Sequence, residues 1–173
     1  MARKKISLRE FQQGVLDKLK AVTEREGAPP SSKLGLQVGQ LFWLVDLADV
    51  AEVVPPPTMA HVPLSQPWFT GVANVRGNLY SVADFSLFCG KEPVATGPDR
   101  RLVLAHAKFK VNAALLVTRL LGLKHEEDLT STAISSTAPP WVSAEYTDKD
   151  GTRWQELSML ELVNNQDFLQ AGQ

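Results

Sequence analysis

From Leu34 onward, glycine and proline divide the sequence into short apolar runs, and this pattern most restricts the possible fold. Runs of about four to eight residues bounded in this way are typical of β-strands. Many short strands, with helices only at the two ends of the chain, predict antiparallel β-barrels and not an α/β sheet. The predicted strands are Leu34 to Val38, Leu41 to Val45, Val50 to Val54, Val72 to Val75, Leu79 to Phe85, Arg101 to Lys108, Ala113 to Val117, Trp141 to Thr147 and Thr152 to Leu157.

Helical spacing is confined to the two ends. Ser7 and Glu10 form a capping box that starts a predicted helix over residues 7–26, and Gly27 suits its C-terminal end. Ser158 and Glu161 form a second capping box, which predicts a short C-terminal helix. We therefore expect an N-terminal helix and linker over residues 1–30 and a β-rich domain over residues 31–173. The first helix either docks on its own domain or binds a partner. Its apolar face consists of Leu8, Phe11, Val15, Leu19 and Val22.

The composition excludes several classes of protein. With 18 Lys and Arg against 19 Asp and Glu, the formal net charge is −1, which argues against binding nucleic acid or an anionic membrane through bulk charge. No apolar run is long enough to insert into a bilayer, so we expect a cytoplasmic protein. One cysteine and three scattered histidines predict neither a disulfide nor a metal site. We expect no cofactor.

The sequence also contains a weak internal repeat. The apolar spacing around Val50 recurs around Leu120, an offset of about 70 residues. The turn Arg76-Gly77 has a counterpart of similar character at Asp150-Gly151. Such similarity arises by chance in β-rich chains, so duplication and coincidence both remain open. A duplication would give two similar barrels.

The cysteine and the tryptophans have structural explanations. Cys89 lies among apolar neighbours and is expected to be an inert, partly buried thiol. Trp43, Trp141 and Trp154 are expected in the core. Trp68 follows a proline-rich passage, where a large aromatic side chain is either a plug or a partner contact.

One stretch, Pro67 to Phe85, is the most informative part of the sequence. It contains Gly71-Val72-Ala73-Asn74-Val75-Arg76-Gly77, then an apolar strand and Asp84-Phe85. This order resembles the CheW-like domain family, the adaptors of bacterial chemosensory arrays. Leu44 to Val53 and Leu115 to Leu120 resemble two further strands of that family. The helix that precedes this domain, together with residues 71–77, makes the chain more similar to the family members of type IV pilus twitching systems than to the minimal coupling protein.

The resemblance implies a fold and a set of partners. The implied fold is mainly β, with two packed five-stranded SH3-like β-barrels, an extra N-terminal helix and a short C-terminal helix. The implied role is a non-catalytic adaptor without a cofactor. Its partners would be the cytoplasmic tip of a methyl-accepting chemoreceptor and the regulatory domain of a CheA-type histidine kinase, for chemotaxis or twitching motility.

The resemblance also implies a partner-binding site. Arg76 and Glu52 match a family pair, and an arginine–carboxylate pair can be bidentate and fix a loop at a binding groove. Val50 matches a receptor-facing position, although its side chain fits the core equally well. The expected partner-binding residues are Arg76, Glu52, Val50, Asn74, Val75, Gly77 and Trp68.

Two other functions remain open at this point. A small-barrel, hydrolase-like enzyme would use loop residues such as His61 or Asp84. Asp84 equally fits a capping role, because aspartate commonly accepts hydrogen bonds from nearby backbone N–H groups. A CheW-like domain that binds a small ligand or another protein of the same pathway is the third possibility.

Overall fold

The computed structural model describes residues 12–17 and 32–172. Residues 12–17 are helical and are named α1. The described residues also form twelve strands and three further short helices, joined by turns and single-turn 3₁₀ segments. The strands are β1 Lys33–Val38, β2 Leu41–Asp46, β3 Val50–Val54, β4 Met59–Ala60, β5 Phe69–Val75, β6 Asn78–Asp84, β7 Arg101–Ala105, β8 Ala113–Val117, β9 Arg119–Lys124, β10 Leu129–Thr132, β11 Val142–Asp148 and β12 Arg153–Leu157. The helices are α2 Phe85–Phe88, α3 Met159–Asn164 and α4 Gln166–Leu169.

The strands form two six-stranded sheets with the same plan. Sheet A has the order β10-β11-β12-β2-β1-β9, and sheet B, starting from the equivalent edge, has the order β4-β5-β6-β8-β7-β3. In each sheet the second strand of a hairpin runs parallel to its next neighbour, as β12 with β2 and as β6 with β8. The shared plan favours duplication as the source of the internal repeat. The mainly β, two-sheet prediction is confirmed, with six strands in each sheet where the resemblance implied five.

Two apolar clusters hold the sheets. The larger cluster draws on both sheets and includes Trp43, Phe85 and Leu115. The smaller cluster is formed mainly by sheet B and includes both Val54 of β3 and Val75 of β5. Because β3 is one edge of the strand order and β5 lies next to the other edge, sheet B must curve strongly to bring these residues into one cluster. The curvature positions the candidate site described below.

Most of the predicted elements are confirmed. Val50–Val54 and Ala113–Val117 have the predicted bounds. Trp43, Trp141 and Trp154 are buried, as expected. The strand predicted from Arg101 to Lys108, however, ends at Ala105, because the His106 Nδ1 atom accepts a hydrogen bond from the Lys108 N–H and starts a 3₁₀ turn.

Both predicted helix caps, Asp84 at the end of β6 and Ser158 directly after β12, are present. The Ser158 hydroxyl accepts a hydrogen bond from the Glu161 N–H at 3.3 Å and starts α3. The Asp84 carboxylate accepts from the Leu87 N–H at 3.0 Å and starts α2.

The N-terminal helix packs against its own domain in the described region. Leu16 of α1 is buried within the larger apolar cluster. Of the two alternatives that the sequence left open, docking on its own domain or binding a partner, this burial corresponds to docking. The predicted ends of the helix, at Ser7 and Gly27, lie outside the described residues. In the part of the chain that the structure describes, no helix is long and apolar enough to span a membrane.

Candidate functional site

The Arg76 hairpin is the most unusual backbone feature of sheet B. Val75 pairs with Asn78, so Arg76 and Gly77 form a two-residue loop between β5 and β6. Their φ angles are 53° and 85°, as a type I′ turn requires at both central positions. Glycine adopts such angles without strain, whereas arginine does so at a cost. The turn therefore holds the Arg76 backbone in a strained conformation and places its side chain at the end of the sheet.

Asn74 stabilises this hairpin. Its side-chain Oδ1 atom accepts a hydrogen bond from the Gly77 N–H at 2.9 Å. The bond satisfies a backbone donor that the turn would leave to solvent. Asn74 thus acts on the conformation of the turn from within the hairpin.

Glu52 reaches the hairpin because β3 is irregular. The register between β3 and β7 shifts between Val50 and Glu52, as in a β-bulge. A bulge bends its strand and re-aims the side chains that follow it. Together with the curvature of sheet B, the bulge brings Glu52 to Arg76.

The two side chains form an ion pair. The Arg76 guanidinium nitrogen lies 2.9 Å from the Glu52 Oε1 atom. No N–H in the described residues points at that oxygen along a hydrogen bond, so the contact is ionic and lacks the bidentate geometry that the resemblance suggested. The Arg76 side chain is 64% exposed and that of Glu52 is 14% exposed. The pair therefore presents one accessible cation above a largely buried carboxylate.

A small cavity of about 90 Å³ adjoins this ion pair. Its walls combine the end of β3, the Arg76 hairpin and α1. We name this cavity the hairpin groove. It is lined by Gln13, Glu52, Val53, Val54, Pro55, Asn74, Val75 and Arg76. Four of the expected partner-binding residues, Glu52, Asn74, Val75 and Arg76, are thus brought together, and Gly77 completes the turn beside them.

Val50 and Trp68 lie elsewhere. Val50 is fully buried in the larger apolar cluster, which is the core alternative of the two that the sequence left open. The Trp68 ring stacks on Phe168 with ring centres 5.8 Å apart and packs edge-on against Phe88. The Trp68 side chain is half-buried by these contacts and also lines a cavity of about 290 Å³, so the plug and partner-contact alternatives both stay open.

Sequence reasoning did not single out Gln13 or Leu79. Gln13 belongs to α1, far along the chain from the hairpin, and no local pattern connects the two. Leu79 pairs with Asn74 in the hairpin and is a large apolar residue left exposed. Its place two residues after the Arg76-Gly77 turn was the only signal available.

The side chains considered for catalysis either make structural hydrogen bonds, are buried, or lie exposed in a loop. The two Asp84 carboxylate oxygens accept from the Leu87 N–H and, at 2.9 Å, from the Val94 N–H. His61 lies exposed in a loop. Burial raises the pKa of the Cys89 thiol to about 12, so this group is protonated and unreactive at neutral pH.

The hydrogen bond from Gly77 to Asn74 predicts a measurable effect on stability. Asn74→Ala is expected to lower the free energy of unfolding by about 1 kcal/mol, because the exposed turn loses one side-chain hydrogen bond. Asn74→Asp, which keeps the acceptor oxygen, is expected to retain most of the stability. Denaturant unfolding measures both variants. An alanine variant as stable as the parent protein would contradict this role.

Three comparisons place the chain among known proteins. The family model of the CheW-like domain matches residues 33–167. The chain is 33% identical to Protein PilI of Pseudomonas aeruginosa over 103 residues, which cover 59% of this chain and 57% of PilI. The fold is similar to the crystal structure of the scaffolding protein TtCheW from Thermoanaerobacter tengcongensis. That match has a TM-score of 0.65 and 17% identity, and it covers 75% of this chain and 85% of the other. The family match spans most of the sequence, and the chain therefore belongs to the CheW-like domain family.

Proposed function

We propose that this protein is a non-catalytic adaptor that couples the cytoplasmic tip of a chemoreceptor to the regulatory domain of a CheA-type histidine kinase. Membership of the CheW-like family and the likeness to PilI support an adaptor role. The observation that carries the proposal is the exposed Arg76 guanidinium, fixed by a strained turn against a buried carboxylate. In this role the protein is cytoplasmic and is recruited to receptor arrays.

Fold stability alone does not account for Arg76. An ion pair with one largely exposed partner contributes about 0–1 kcal/mol. The left-handed conformation of a non-glycine residue costs about as much or more. Strain of this kind is concentrated at functional sites. An arginine held in this way is suited to binding a carboxylate or carbonyl oxygen of a partner protein.

The states of Asp84 and Cys89 support the non-catalytic assignment. Both carboxylate oxygens of Asp84 accept hydrogen bonds from backbone N–H groups, and burial keeps the Cys89 thiol protonated. CheW-like proteins act as scaffolds, and the groups available here fit that role.

Binding measurements with Arg76→Ala test the proposal. The probes are the purified regulatory domain of the CheA-type kinase and a soluble cytoplasmic chemoreceptor fragment, both from the source organism. We expect the parent protein to bind both probes and Arg76→Ala to bind at least one about tenfold more weakly, because an interface arginine is removed. Circular dichroism is expected to show an unchanged fold.

Arg153→Ala is the matched control. Arg153 follows the equivalent hairpin of sheet A, its side chain is 80% exposed, and it pairs with a buried carboxylate of Glu145 at 3.6 Å. It therefore matches Arg76 in type, exposure and pairing, and its removal is expected to leave both affinities unchanged. Equal weakening by the two variants would indicate a general charge effect. Equal binding by the parent and Arg76→Ala would show that the hairpin groove is not the partner site.

A further inference from the structure

Two cavities lie on either side of α1. The hairpin groove, described above, has Gln13 in its wall. A second cavity of about 250 Å³ lies along the side of α1 that carries Val15 and Leu16. Residues of α1 and of both sheets line this cavity, and the surface that they expose to it is almost wholly apolar. They are Gln12, Val15, Leu16, Leu34, Val53, Arg101, Leu120 and Gly122. The described part of the N-terminal helix thus lies across the junction of the sheets and extends to the candidate partner site.

One apolar side chain anchors α1 in the described region. Leu16 is 5% exposed and belongs to the larger apolar cluster, whereas Val15 is 42% exposed. The prediction that Val15 lies on the buried face of the helix was therefore wrong, because the helix docks with the neighbouring residue inward. The adjacent cavity leaves one side of this anchor without packed neighbours among the described residues, and contacts are lost there. Gly14 further weakens the helix, because glycine is a poor helix former.

The docked helix also leaves one of its polar atoms without a donor. The Gln13 Oε1 atom is buried and accepts no hydrogen bond from any described residue, whereas the buried Glu52 Oε1 atom is held by its ion pair with Arg76 alone. Gln13 uses only its amide nitrogen, which donates to the Asp17 carboxylate at 3.2 Å. Both residues line the hairpin groove. An unsatisfied buried acceptor such as Gln13 Oε1 is costly, so the docked arrangement is one that a better ligand can replace.

We propose that α1 occupies the partner site of its own chain, and that a helix of the partner binds by displacing it. The displacing helix would place an apolar side chain where Leu16 lies and a hydrogen-bond donor at the Glu52 carboxylate. Helices that dock by an apolar face in this way are a common recognition mode. The inference rests on the proposed adaptor function, and it adds that the chain regulates access to its own groove.

Gly14→Ala tests the inference by strengthening the docked helix. Within residues 12–17 and 32–172, no atom lies within 4 Å of a Cβ atom built at residue 14, so the described structure accommodates alanine without a clash. Alanine favours the helix over glycine by about 1 kcal/mol, and a short segment released into water does not keep its helix. Gly14→Ala is therefore expected to weaken binding of the chemoreceptor fragment about fivefold, because the partner has to displace a more stable helix.

Leu16→Asp tests the inference in the opposite direction. A carboxylate at this buried position is expelled from the apolar cluster, which releases α1 and opens the groove. The variant is expected to bind the same chemoreceptor fragment about fivefold more tightly or better. Near-ultraviolet circular dichroism of the buried tryptophans checks that the sheets stay folded. Hydrogen exchange of residues 12–17 checks that the helix is released.

Gly97→Ala is the matched control for the glycine variant. Gly97 lies in a loop far along the chain, and a side chain there would likewise meet no atom within 4 Å. It is expected to bind like the parent protein. Weaker binding by Gly14→Ala together with tighter binding by Leu16→Asp supports displacement.

Three results distinguish failure of the displacement proposal from failure of the proposed adaptor function. Parent-like or tighter binding by Gly14→Ala overturns displacement, and this arm decides the matter if Leu16→Asp does not fold. Weaker binding by a folded Leu16→Asp also overturns it, because α1 would then be a fixed wall of the site. Binding of the fragment by no folded variant, Leu16→Asp included, contradicts the proposed function itself and removes the competition with it.

Discussion

Glu156→Ala is expected to lower the free energy of unfolding by about 3–5 kcal/mol, because it leaves a buried ammonium group without its counter-charge. The Lys33 Nζ atom lies 2.9 Å from the Glu156 Oε1 atom, and the two side chains are 5% and 17% exposed. Lys33 belongs to β1 and Glu156 to β12, with β2 between them in sheet A. The pair therefore joins the β1–β2 hairpin to the β11–β12 hairpin. Its loss removes this link within sheet A and also leaves the Lys33 charge unpaired. Denaturant unfolding measures the change.

Asp128→Ala is the control for this prediction. Asp128 and Lys149 also form an ion pair, at 2.7 Å, but their side chains are 44% and 77% exposed. Water screens both charges, so the denaturation midpoint is expected to stay nearly unchanged. If Glu156→Ala shifts the midpoint no more than Asp128→Ala does, the buried pair does not stabilise the fold. Replacing Lys33 and Glu156 together by Met and Leu is expected to cost less than Glu156→Ala alone, because no charge is then left buried.

Tyr146 provides a second readout of the same change. Burial, and after it the hydrogen bond that its hydroxyl donates to Glu156 at 3.0 Å, raise the pKa of Tyr146 to about 12. Because the raised pKa belongs to the folded state, this contribution to stability is present below about pH 10 and is lost as the pH rises toward 12. In Glu156→Ala the pKa of Tyr146 is expected to fall. Absorbance titration of the ionised phenol measures it.

The elements that were predicted correctly share strong local signals. Ala113–Val117 is a continuous aliphatic run, and Val50–Val54 has three valines and is interrupted only by Ala51 and Glu52, so local composition favours a strand in both. Three strands were missed: Met59–Ala60, Arg119–Lys124 and Leu129–Thr132. The first has two residues, and the other two are interrupted by glycine or are mostly polar. Pairing with a neighbouring strand, and not local propensity, makes each of them a strand.

The candidate site was only partly predictable for a related reason. The Arg76-Gly77 turn was expected because a residue type that tolerates positive φ follows a strand. The resemblance to the family supplied Glu52 as its partner, whereas the contact itself depends on a bulge in β3 and on the curvature of sheet B. Gln13 joins the site through docking of a helix that is distant in sequence. Such contacts depend on tertiary packing, which one sequence does not specify locally.

Gly71→Ala is expected to lower the free energy of unfolding by about 3 kcal/mol or more, because β4 and β5 approach each other too closely for a side chain. Gly71 has a φ of 142°, in the region that favours glycine. A Cβ atom there would collide with the Ala60 carbonyl oxygen and lie 3.0 Å from the Ala60 carbonyl carbon. Both are backbone atoms, so the clash is relieved only by moving a strand. This glycine opens the ordered motif that carries the family resemblance.

Gly77→Ala separates the clash from backbone strain. Gly77 also has a positive φ, 85°, but a Cβ atom there would meet nothing within 4 Å. Its replacement is expected to cost only about 1–2 kcal/mol, the strain of a left-handed residue. Denaturant unfolding of the two variants compares them directly. Equal losses would mean that backbone conformation alone explains both glycines, whereas a clearly larger loss at Gly71 shows that close approach of β4 fixes the strand that leads into the Arg76 hairpin.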